Sequence, residues 1–209
     1  MAKLDEDEFV EEVIAKALCL KRSGFWKPEP LMRPRGWLSN FDSSDRFYAA
    51  HILDRLIFYS NEMVDALYFA AYSRLARQYM DDPSDPGAGR RRFDEFLQRA
   101  IFTGVEGERP NPTDSGKLFC RKARQRLAIP EGSFVDPVEA LEYARQGRPV
   151  VFLDDFAGSG DQLAKTLSRN YSASEPKSFL QAAQRKDLSY IYICLIITYK
   201  AATRIQDAR

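Results

Sequence analysis

Apolar residues near the start of the chain return every three or four positions: Phe9, Val10, Val13, Ile14, Ala17 and Leu18 share one face behind the acidic opening MAKLDEDEFVEE. That spacing predicts an amphipathic helix of about four turns, with its acids at the positive end of the helix dipole. It stops before Ser23-Gly24. Pro28, Pro30, Pro34 and Gly36 then interrupt any period and predict a linker packed by Trp26 and Trp37. Helical spacing resumes behind the capping residues Asp42, Ser43 and Ser44, with Phe47, Ala50, His51, Leu53, Asp54, Ile57 and Phe58. Ser60 and Asn61 punctuate, and residues 61–80 continue as a further long helix. Both helices are expected to be mostly buried. Pro83, Pro86, Gly87 and Gly89 make residues 81–92 a turn or loop, leaving a short helix around Phe93 to Leu97.

Beyond residue 98 short apolar runs replace the helical period. Ala100 to Val105 reads as a strand, and a polar loop leads to Asp114-Ser115-Gly116 and the basic segment KLFCRKARQRL. Pro137 to Gln146 has proline at its start and Gly147 after its end, the asymmetry of a helix. Val150 to Leu153 and the run YIYICLIIT are apolar without alternation, as in strands of a parallel sheet covered on both faces. A helix from Lys200 to Arg209 follows. The alternation of strand and helix predicts an α/β core over 99–209 behind a helical region over 1–98. With 209 residues the chain can bury one substantial core plus a helical extension. Three clear strands make a short sheet, so the expectation is either a chain that continues past Arg209 or a sheet completed by something else.

Composition narrows the chemistry. Lys+Arg 31 against Asp+Glu 30 argues against a scaffold held on nucleic acid by bulk charge. The single histidine, His51, leaves no room for a two-histidine zinc motif, and its apolar neighbours mark it as structural. Cys19, Cys120 and Cys194 are far apart and fit reduced packing thiols. The N-terminus lacks the layout of a signal peptide, and the longest apolar run, Tyr190 to Tyr199, is about half a bilayer span. A cytoplasmic protein with no membrane partner is the expectation.

The informative segment is PVVFLDDFAGSGDQLAKTL, Pro149 to Leu167. A buried strand ends in Asp154 and Asp155, and a loop of small residues, Ala157-Gly158-Ser159-Gly160-Asp161-Gln162, turns into a helix. Ligands of open parallel sheets bind at the carboxyl ends of strands, where the next helix offers free N–H groups to a phosphate. The paired acids suit the vicinal hydroxyls of a sugar, or a hydrated Mg²⁺ that neutralises a pyrophosphate. Lys165-Thr166 does not complete a Walker loop, because Ser159 and Ala164 stand where glycines are required. Leu163 likewise replaces the third glycine of a dinucleotide fingerprint.

These residues resemble the phosphoribosyl-pyrophosphate motif of type I phosphoribosyltransferases. They are closer still to a divergent phosphoribosyltransferase-like family of bacterial conflict and anti-phage systems, with its DDF-x-GSG-x-Q block. That block is Asp154 to Gln162 here, preceded by Trp37-Leu38-Ser39-Asn40-Phe41 and by Ser115-Gly116. The resemblance covers about residues 37–198. It implies an α/β fold with a parallel sheet of phosphoribosyltransferase type. It implies that Asp154 and Asp155 face the ribose hydroxyls and Mg²⁺, while Gly158, Ser159, Gly160, Asp161 and Gln162 wrap the 5′-phosphate. Gly158 departs from the carboxylate that serves the incoming base in some members, and Gln162 from the usual small hydroxyl residue. The loop therefore names no general base.

A second candidate lies at Ser115-Gly116-Lys117, where a capping serine beside Lys117, Arg121 and Arg124 on one helical face would hold a pyrophosphate. The plainer reading is an ordinary cap on a solvated basic face. Arg90-Arg91-Arg92 is either an RNA-backbone clamp or a loop edge. Three functional classes follow. The first binds a phosphorylated ribose compound with Mg²⁺ and transfers or cleaves at ribose C1 in a defence system. The second is a non-catalytic nucleotide-binding module docking on a protein or RNA partner of that system. The third binds RNA through its basic faces.

Overall fold

The computed structural model describes residues 5–26, 33–80, 85–107, 115–127, 129–184, 188 and 190–207, without the side chains of 115–118, 126 and 207. It divides into two compact units, Met1–Val64 and Asp65–Arg209. The expected boundary at 98/99 marks where helices give way to the first strand. The units themselves divide earlier, so that the helices of residues 65–99 share a unit with the sheet.

The first unit is built on α1 (Glu6–Arg22), α2 (Pro34–Leu38) and α3 (Ser43–Asp54). The apolar stripe Val10, Val13, Ile14 and Ala17 packs with Leu38 of α2 and Ala49, Ala50 and Leu53 of α3. Alanines at 49 and 50 carry little side chain and let the elements approach closely. Trp26 joins this core, its ring 6.4 Å from that of Phe58. His51 is the structural residue its neighbours predict, stacked 4.3 Å from Phe9 and 4.7 Å from Phe47. Helix α3 stops at Asp54 rather than continuing to Phe58, and the segment up to Ser60 carries no helix.

Helix α4 (Asn61–Arg77) starts within the first unit's last residues and continues into the second; it begins where Ser60 Oγ accepts the Met63 N–H at 3.2 Å. The expectation that α3 and α4 are mostly buried does not hold. Tyr68 and Leu75 are buried on α4, whereas Met63 and Phe69 are 41% and 50% exposed. Residues 86–92 are not a loop but the first turns of α5 (Pro86–Arg99). Asp85 caps it, its carboxylate accepting the Ala88 N–H at 2.8 Å, and Pro86 sits in the first turn, where its missing N–H costs nothing.

The core is a parallel sheet in the order β1-β2-β3, with β1 (Ile101–Gly104), β2 (Val150–Ala157) and β3 (Tyr190–Ile197). Between β1 and β2 lie α6 (Ser115–Leu127) and α7 (Pro137–Arg145). After β2 come α8 (Asp161–Ser168) and α9 (Phe179–Ala183), and after β3 comes α10 (Tyr199–Asp207). Ile101, Val150, Phe152, Leu141, Leu163 and Phe179 form the centre of the packed core. The α/β class and the preceding helices are therefore as expected. Among the described residues no helix is long and apolar enough to cross a membrane.

Candidate functional site

Strand β2 does not end at Leu153. It runs through the acid pair to Ala157, so the two carboxylates lie on successive strand residues and point to opposite faces. Asp154 shares its face with Phe152 and is only 4% exposed. Both its oxygens are engaged: Oδ1 accepts the Asp155 N–H at 2.9 Å and Oδ2 accepts the Tyr192 hydroxyl at 2.8 Å. The phenol arrives from β3, where Tyr192 pairs with Phe152 in register and reaches forward along the strand. Burial pushes the Asp154 carboxyl up to about 6, opposed by the Tyr192 hydrogen bond and reinforced by the adjacent Asp155. Burial, with the Asp154 charge beside it, raises the Tyr192 phenol as well. Asp155 is half-buried, and its Oδ1 accepts the Phe156 N–H at 2.9 Å. Asp154 is thus fixed in the structure, and Asp155 is the more accessible acid.

The loop leaves β2 through Gly158 and Ser159 and enters α8 at Gly160, whose φ of +78° is a conformation natural to glycine. Ser159 Oγ donates to Asp161 Oδ2 at 2.7 Å, and the Asp161 N–H donates back to Ser159 Oγ at 3.2 Å. The Arg204 guanidinium of α10 pairs with the Asp161 carboxylate and donates to the Ser159 carbonyl at 3.4 Å. The Ser159 hydroxyl and then Arg204 hold the Asp161 carboxyl below the usual carboxylate range. The Thr198 hydroxyl donates to the Gly158 carbonyl. Gln162 is exposed on α8.

Because β1 and β2 are parallel neighbours, the segment after β1 emerges at the same end of the sheet. Glu106 is fixed there by Arg169 at 2.7 Å and the Tyr171 hydroxyl at 2.9 Å, and its N–H donates to Thr166 Oγ1 at 3.1 Å. Ser115, Gly116 and Lys117 open α6 as predicted, but their side chains lie outside the described residues, as does Asp114. Arg121 is exposed on α6, and Arg124 pairs with Glu131. Each arginine of the 90–92 run has an intramolecular partner: Asp94 at 3.4 Å, Asp85 at 3.9 Å and the Tyr79 carbonyl at 2.9 Å. Burial raises the Cys120 thiol to about 12 and the Cys194 thiol to about 11, so both are inert packing groups, whereas Cys19 is exposed.

Tyr192, Thr198 and Arg204 are contributors the sequence did not single out. They come from β3, from the residue that follows it and from α10, and the β2–β3 register brings them to the acid pair and loop. Among the described residues no group of three or more His, Cys, Asp or Glu is gathered to hold a metal ion. Residues 34–209 match the family model PRTase-CE. No curated protein and no solved structure matches the chain.

Proposed function

The chain belongs to the PRTase-CE family of phosphoribosyltransferase-like proteins, and from that premise we propose that it binds a phosphorylated ribose compound, phosphoribosyl pyrophosphate or a nucleotide, at the carboxyl ends of β1 and β2. The observation that carries this reading is the division of the acid pair immediately before a glycine loop. Asp154 is a buried, hydrogen-bonded anchor, and Asp155 is an accessible carboxylate one residue from it. Asp155 accepts from the ribose hydroxyls, and the backbone amides around Gly158 to Gln162 face the 5′-phosphate at the start of α8.

The oxygen-only donor set fits Mg²⁺, which commonly takes one or two carboxylates and completes its shell with water and substrate phosphates. Asp155, steadied through Asp154, would hold it together with the ligand's own pyrophosphate oxygens. When bound, Mg²⁺ neutralises charge on the departing pyrophosphate. The chain's own residues then orient ribose C1 for transfer or cleavage, so positioning and charge stabilisation supply the catalysis. In this reading the protein works in the cytoplasm as an effector or sensor of a bacterial defence system, alongside a protein or RNA partner.

Calorimetric titration with phosphoribosyl pyrophosphate, with and without Mg²⁺, tests the binding. Asp155→Asn is expected to weaken it by about tenfold or more, the scale of one lost charge-assisted contact. Equal affinity in wild type and variant removes Asp155 from the site, and absence of binding to wild type removes the reading.

A second reading, a binding module without turnover, is favoured by one feature. Ser159, Asp161 and Arg204 satisfy one another, and Gly158 and Gln162 bring no base to the loop. Pyrophosphate or free base released from phosphoribosyl pyrophosphate or a nucleotide panel selects the enzyme. Binding that never yields product selects the module.

A further inference from the structure

A cavity opens beside strand β1, and a proline is the reason. The segment after Ser133 runs parallel to the strand: Phe134 bridges Phe102, and the Val135 N–H donates to the Phe102 carbonyl at 3.0 Å. In a parallel ladder the next carbonyl on that side, that of Gly104, would accept from residue 137. Pro137 has no N–H to give, and the chain turns there into α7. The ladder stops, leaving a cavity of about 210 Å³ at the carboxyl end of β1. Thr103, Gly104 and Asp136 line it with polar groups, and Phe134, Val135 and Cys120 form apolar wall.

Thr103 is 0% exposed, and its Oγ1 has no hydrogen-bond partner among the described residues. A buried hydroxyl with its bond unmade is costly, and such groups are rare in folded proteins. One water would answer it, but the cavity has room for several, and the rest would face the apolar walls. Size and charge set the class of ligand instead. The volume lies below the about 300–1,000 Å³ of sites for drug-sized molecules, so it suits one ring system and not a whole nucleotide. Among the described residues no lysine or arginine lines it, so nothing there favours a phosphate. Asp136 Oδ1 accepts the Glu139 N–H at 2.9 Å as the cap of α7, which leaves Oδ2 as an acceptor beside the Gly104 carbonyl. The Thr103 hydroxyl is the donor.

We propose that this cavity binds a nucleobase carrying an exocyclic amino group beside a ring nitrogen, the pattern of adenine and cytosine. The two amino N–H groups donate to the Gly104 carbonyl and Asp136 Oδ2, and the ring nitrogen accepts from Thr103 Oγ1. Phe134, packed against Phe102 with ring centres 5.3 Å apart, supplies an aromatic wall. The proposal is independent of the ribose-phosphate reading, because a free base carries neither ribose nor phosphate.

Calorimetric titration of the 209-residue chain with free adenine and cytosine, each against its oxo counterpart hypoxanthine or uracil, is the test. The amino bases are expected to bind about tenfold tighter or better, the scale of one buried hydrogen bond. Thr103→Val keeps the shape and removes the hydroxyl. It should weaken adenine by about tenfold, while the thermal midpoint of the free chain holds or rises, because an unpartnered buried group has gone. Asp136→Asn still caps α7 and turns an acceptor into a donor, so the preference should shift toward the oxo bases. No binding of any base up to about 1 mM overturns the proposal and leaves the cavity to water. Equal affinity for amino and oxo bases overturns it too, and that comparison on wild type decides the matter even where a variant does not fold. Binding indifferent to both substitutions places the base elsewhere, and a fall in the Thr103→Val midpoint gives the hydroxyl a structural partner; either result removes the proposal.

Discussion

At the scale of single residues, the Asp154 carboxyl carries a measurable signature of its surroundings. Its value in the folded chain, about 6, lies above its ordinary one because burial penalises the charge more than the Tyr192 hydroxyl rewards it. A carboxyl raised on folding stabilises the protein while it is protonated. That contribution is fully present below the unfolded value near 4 and is lost as pH rises through about 6. Urea unfolding should therefore show wild type losing stability relative to Asp154→Asn across this window, by on the order of 2 kcal/mol. A difference that stays flat with pH would show that the carboxyl titrates normally. Tyr192→Phe removes the donor and leaves Oδ2 buried without it, at a cost of about 1–3 kcal/mol near neutral pH. The same variant should move the Asp154 titration further upward, which carboxyl-selective NMR reads directly.

At the scale of elements, α5 sets two effects against each other. Alanine in place of Gly89 would gain up to about 1 kcal/mol of helix propensity. Its Cβ, however, would stand 2.9 Å from the Tyr79 carbonyl and 3.0 Å from the Met80 Cα, both backbone atoms that cannot swing aside. Overpacking of this kind costs about 1–3 kcal/mol, so Gly89→Ala is expected to lower the thermal midpoint, and a rise would mean that the close approach is not real. The same glycines explain why this helix was not legible: Gly87, Gly89 and Pro86 read as a loop because sequence pattern cannot see that Asp85 caps them or that a neighbouring backbone requires the missing Cβ. Elements whose cause is local, such as α1 with its stripe, α7 between Pro137 and Gly147, and the apolar runs of β2 and β3, were readable from the chain. The acid pair and its loop were readable for the same reason, since one continuous stretch holds them. Tyr192 and Arg204 lie 38 and 43 residues from their partners Asp154 and Asp161, and no spacing rule reaches across a parallel register.

At the scale of the whole molecule, a net charge of +1 sets the expectation for nucleic acid. The arginines at 90–92 and Arg124 have internal carboxylate or carbonyl partners, whereas Arg121 is exposed and the side chains of 117 and 126 lie outside the described residues. RNA affinity measured by filter binding should stay weak at physiological salt, with a log–log salt slope no steeper than about −3. A steep slope would restore the basic faces as a functional surface. The division into two units also has a spectroscopic consequence. Both tryptophans of the chain, Trp26 and Trp37, lie within Met1–Val64, Trp26 in its core. Tryptophan emission is therefore a private reporter of the helical unit. A denaturation curve followed at that wavelength reports directly on the surroundings of Trp26 and Trp37. A tryptophan introduced at Phe156, 51% exposed beside Asp155, would give the candidate site a signal of its own.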